Sequence, residues 1–161
     1  MIEALLVVYG KNLDYTRRLV ADIPDTKACT QPSPKSPMNH AVWVLGHLAL
    51  TADSYGAQLG LPATAPKEWP AMFGGASKPT DGAGCPAKTA LLKALEEGHA
   101  RVAEAVRGKD AAFWQTPPAD EKRRQRFPTM GHFLVHILVN HEAIHLGQLS
   151  AWRRVQGLPS V

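Results

Sequence analysis

The chain has 161 residues, 45% hydrophobic and 20% charged, with a formal net charge of +4. That supports one domain, residues 1–161, with a core of its own, and no apolar run approaches the roughly 18 residues of a membrane span. The start Met1-Ile2-Glu3-Ala4 lacks a basic leader, so Cys29 and Cys85, both in Pro/Gly-rich stretches, read as unpaired loop thiols in a cytoplasmic protein.

The first predicted helix runs from about Ile2 to Asp22, where Ile2, Leu5, Leu6, Tyr9, Leu13, Thr16 and Val20 recur at threes and fours, and Pro24 ends it. The second opens near Ser36-Pro37 and closes at Leu59-Gly60-Leu61-Pro62. The connection from Pro62 to Cys85 is long for a compact domain, which points to a functional role; Trp69 and Phe73 are its anchors, and a lid over a pocket is the sharper reading. The third helix opens near Pro86, carries Leu91, Leu95, Val102 and Val106, and stops at Gly108. Lys122-Arg123-Arg124-Gln125-Arg126 is the densest basic run. It lacks interleaved stacking aromatics and any DNA-binding spacing, so a solvated loop is expected, with no nucleic-acid partner. The fourth helix opens after Thr129, a candidate N-cap, and ends at Gln156-Gly157-Leu158-Pro159. No segment alternates with period two. Four helices without a sheet predict an all-α four-helix bundle with long loops.

The fourth helix carries His141-Glu142-Ala143-Ile144-His145. Four residues advance a helix by about 400°, so both imidazoles share a face, a spacing suited to a divalent metal. The string is known from zinc peptidases, but here Ala151 stands where a third histidine would follow, no Asp or Glu lies downstream, and no sheet is expected for a peptide to pair with. A third ligand must come from upstream: His40, His47, His99, His132 or His136. His132 and His136 fall roughly 140–180° around the helix from His141. His99, after Glu96-Glu97-Gly98, reads as solvent-facing. His47 sits in Val42-Trp43-Val44-Leu45-Gly46-His47-Leu48-Ala49-Leu50, the most apolar segment, where an imidazole needs a partner. Leu134, Leu138, Leu149 and Trp152 lie within about 40° of His145, which puts the pair on the core stripe too. His47, His141 and His145 are therefore the expected metal ligands. Gln148 stands next to His145 on the wheel and could orient a ligand or substrate. Glu142 could partner an imidazole N–H, carry protons, or be a surface charge. His40 could line the pocket mouth. His132 and His136 continue through Asn140, Ala143, Gly147 and Ser150, a small-residue face that predicts close helix packing inside the bundle or between two copies, so a homodimer is expected.

Three elements carry a family likeness: Trp43-Val44-Leu45-Gly46-His47-Leu48, His141-Glu142-Ala143-Ile144-His145-Leu146-Gly147-Gln148-Leu149, and Trp152-Arg153-Arg154 before Gly157-Leu158-Pro159. The chain resembles the DinB/YfiT-like superfamily over most of its length. The resemblance implies a four-helix bundle holding a divalent metal, zinc or nickel first, on three histidines that map onto His47, His141 and His145. Characterised relatives include transferases and isomerases that use a low-molecular-weight thiol. The expected activity is accordingly thiol-dependent transfer to a small electrophile, with Arg153 and Arg154 able to attract an anionic thiol. The alternatives are a metal-dependent hydrolase with Glu142 moving protons, and a non-enzymatic metal-binding stress-response module.

Overall fold

The computed structural model describes residues 2–33, 35–79 and 84–161; the part of the long connection at 80–83 lies outside the described residues. All regular structure among them is helical: α1 (Ile2–Ala21), α2 (Ala41–Gln58), α3 (Trp69–Phe73), α4 (Lys88–Arg107), α5 (Ala111–Gln115), α6 (Glu121–Arg124), α7 (Met130–Val135) and α8 (Glu142–Val155), with a π-helical turn, His136–His141, joining α7 to α8. The long helices α1, α2, α4 and the composite α7–α8 form the four-helix bundle. α1 packs on α4 and on α7–α8, and α2 packs on α4 and on α8, so helices consecutive in the chain are not always neighbours.

The apolar spacing does what the sequence implies. α1 buries Leu5, Leu6, Tyr9, Leu13, Thr16, Leu19 and Val20, and α4 buries Leu91, Leu95, Val102 and Val106. Every residue from Ala41 to Ala49 is buried, so α2 is the central helix. Two apolar clusters result. One gathers Leu13, Leu19, Val20, Leu45, Leu48, Leu91, Leu95, Leu146 and Trp152; the other gathers Leu6, Tyr9, Val102, Val106, Leu134 and Leu138. Asn12, His99 and Glu142 fall between these groups along their helices, as a polar layer across the bundle.

The expected helix ends hold in part. Thr129 Oγ1 accepts the His132 N–H, and Gly60 and Gly157 take positive φ after α2 and α8. The start of α2 is corrected from Ser36 to Ala41. Gln31 exchanges two hydrogen bonds with the Met38 backbone, which holds the chain out of helix through Pro37, and His40 is the N-cap, its Nδ1 accepting the Trp43 N–H. α4 likewise begins at Lys88, two residues after Pro86.

One further expectation is overturned, and another loses one of its two alternatives. Cys29 and Cys85 are joined in a disulfide, Cα atoms 6.6 Å apart. The sequence could not anticipate it, because 56 positions separate them. The small-residue face of α8 does not pack inside the bundle: Asn140, Ala143 and Gly147 are exposed, and nothing lies within 4 Å of where a Gly147 Cβ would stand. No helix among the described residues is long and apolar enough to cross a membrane.

Candidate metal centre

His47 comes from the middle of α2, His141 from the end of the π turn and His145 from the first turn of α8. One ring nitrogen of each lies within 4.8 Å of the others. The Nε2 atoms of His47 and His141 are 3.2 Å apart. Tetrahedral ligation with metal–nitrogen bonds near 2.0–2.1 Å requires about 3.3 Å between nitrogens.

The tautomers of His47 and His145 are set from outside. His47 Nδ1–H donates to the Phe73 carbonyl at 2.7 Å, and His145 Nδ1–H donates to Gln148 Oε1 at 3.0 Å. Gln148 Oε1 also accepts from Asn39 Nδ2 at 2.8 Å, which holds the amide in place. In the neutral rings this leaves Nε2 of both histidines as bare lone pairs. Facing His47 Nε2 at 3.2 Å, His141 Nε2 either carries its own ring proton or presents a lone pair that calls for a cation; its buried Nδ1 has no hydrogen-bond partner among the described residues to fix that choice. The charged, doubly protonated rings are disfavoured here. Burial, then the neighbouring imidazoles, pushes His141 down to about 3. Burial, then His47, pushes His145 down to about 4, and burial lowers His47 against the opposing Phe73 bond. Neutral, converging, prepositioned nitrogens are the donor set a divalent cation needs, so the residues fit the metal that the resemblance implies.

The surroundings explain local sequence. Trp43 stacks on His47 with ring centroids 4.7 Å apart and nearly parallel planes, and its Nε1 donates to Ser77 Oγ. The loop is thereby pinned over α2. A Cβ on Gly46 would stand 2.6 Å from three atoms of the buried Phe73 ring, so glycine lets α3 sit directly on α2 and bring its carbonyl to His47. The long connection thus supports the site through Phe73, an anchor the sequence had flagged. That its carbonyl is the contact had no signal in the sequence, since every residue carries one.

The π turn adds a residue to the helix just before His141. Asn12 Nδ2 reaches the Leu138 and Val139 carbonyls from α1 at 3.4 and 3.2 Å. Wheel positions counted across this turn at a uniform 100° are accordingly displaced.

His99 differs from expectation, and Glu142 takes one of the alternatives open to it. His99 is buried, not solvent-facing, and its Nε2–H donates to Glu142 Oε1 at 2.7 Å. Tyr9 stacks on its ring at 3.7 Å. Glu142 is buried as well, so it is no surface charge. It partners an imidazole, but that of His99 on α4. Burial raises its pKa, and the bond from His99 partly opposes this. Arg153 is also unavailable to a ligand: it is buried and holds Asp22 and the Leu19 and Pro159 carbonyls, while Arg154 is exposed. His132 and His136 bond Thr129 and Asn140 locally, and His40 caps α2 beside the disulfide.

An all-α bundle with a three-histidine group able to hold a metal defines a class of helical metal-site proteins. The DinB superfamily matches residues 9–149, and the chain belongs to that superfamily. No curated protein matches it.

Proposed function

We propose that the chain is a divalent-metal-dependent enzyme in which His47, His141 and His145 ligate the ion through Nε2, and that it transfers a small thiol to an electrophilic small molecule. The observation that carries the metal reading is the 3.2 Å approach of two Nε2 atoms, with the Nδ1 atoms of His47 and His145 already committed to Phe73 and Gln148. Three neutral ligands leave a cation its full charge and an open position, and a cation so held lowers the pKa of a thiol or water that reaches it. The chain's own residues do the rest. Phe73 and Gln148 keep the imidazoles oriented, and Trp43 covers one face of His47. Gln148 is exposed beside His145, which supports a role for it in orienting a bound ligand. Glu142 acts as a positioning residue: its bond to His99 ties the start of α8 to α4 and so fixes His141.

The choice of thiol transfer rests on the family resemblance. The commitment of Glu142 to His99 weighs against the hydrolytic version that gave it the proton-carrying role. The test is metal content of untagged protein, then turnover with a panel of low-molecular-weight thiols and a generic aryl or epoxide electrophile. About one metal per chain and metal-dependent consumption of one thiol support the proposal; bound metal without turnover on any thiol sinks the transfer reading.

A further inference from the structure

The Cys29–Cys85 bridge lies outside the three-histidine group and joins the loop after α1 to the loop before α4. Cys29 is buried and Cys85 half-buried. Both line a cavity of about 410 Å³ whose wall also holds Asp25, Thr30 and Lys88. The Lys88 ammonium is fixed there by the Val20 and Ile23 carbonyls. A ring nitrogen of the buried His40 lies within 4.8 Å of both sulfurs. Because His40 Nδ1 accepts the Trp43 N–H, the neutral ring carries its proton on Nε2. His40 thus places an imidazole beside both sulfurs.

We propose that Cys29–Cys85 is an exchangeable bridge, opened by a low-molecular-weight thiol that enters this cavity and attacks Cys85 Sγ. The attacking thiolate forms an S–S bond to Cys85, the Cys29–Cys85 bond breaks, and its electron pair leaves on Cys29 Sγ. The direction follows from the surroundings. Cys85 is the more exposed of the pair, and the buried Cys29 sulfur departs beside the His40 imidazole. A second thiol then attacks the mixed disulfide. Two external thiols become one external disulfide, and their two protons end on Cys29 and Cys85. The exchange is independent of the metal reading.

The experiment uses the full-length, oxidised, folded protein without denaturant, with glutathione as the thiol. Alkylation traps intermediates at intervals, and mass spectrometry maps them. The expected result is opening at a rate first order in glutathione, a single adduct on Cys85, and an unchanged helical circular-dichroism spectrum. His40→Asn keeps a side chain able to cap α2 and removes the imidazole from beside the sulfurs. It is expected to slow opening by on the order of tenfold and to spread the adduct over both cysteines. Opening only in denaturant, an adduct mainly on Cys29, or loss of helical signal on opening would each overturn the exchange site. An unchanged rate and adduct position in His40→Asn would overturn the part assigned to His40. The wild-type measurement stands whether or not the variant folds.

Discussion

The Phe73 carbonyl accepts the Nδ1–H of His47 at 2.7 Å, and the Phe73 ring lies flat against Gly46, the residue before that histidine. One residue of a loop helix thus fixes both the tautomer of the histidine and its approach. Gly46→Ala forces the ring away, because its Cβ would stand 2.6 Å from ring atoms that are buried and not free to swing aside. Overpacking of this kind costs about 1–3 kcal/mol. A lower Tm and weaker zinc binding are expected together, by thermal scans with and without the metal; a variant with wild-type zinc affinity would disconnect Phe73 from the site.

Removal of a ligand is expected to be more severe than removal of its support. His47→Ala and His141→Ala should leave purified protein with little or no metal. Gln148→Ala, which frees the His145 ring, should weaken binding by about 10–100-fold. Competition against a chromophoric chelator measures all three, and full metal retention by His47→Ala would sink the ligand set.

Metal-free protein should lose stability in acid. His141 and His145 have folded pKa values lowered to about 3 and about 4, below the ordinary value of 6.5. The unfolded chain therefore binds more protons than the folded one as pH falls from about 6.5 towards 4. Stability is full above that window and declines within it, read as a Tm that falls by a few degrees between pH 7 and pH 4.5. His141→Gln with His145→Gln should flatten this part of the profile.

His99→Ala strands the buried Glu142 carboxyl without its hydrogen bond. Leaving a buried acceptor without its hydrogen-bond partner costs about 1–3 kcal/mol. Urea unfolding should show this loss, whereas His99→Ala with Glu142→Leu should recover part of it. Full stability in His99→Ala would remove the polar layer from the account of the fold.

Much of this molecule was legible locally. Helix period, the Thr129 cap, the Gly60 and Gly157 terminations and the shared face of His141 and His145 depend on residues a few positions apart, where backbone geometry leaves little choice. His47 was legible by a different logic, since a polar ring in the most apolar segment must be partnered. What the sequence by itself determined was therefore the bundle and the three histidines. Only the tertiary structure decided that Glu142 faces His99, that Arg153 is buried on Asp22, that Cys29 meets Cys85, and that Asn12 supports a π turn before His141. Each of those pairs is separated by 43 or more positions or depends on a backbone carbonyl. Such contacts are selected by how whole helices pack, and helical period carries no record of the partner across the bundle.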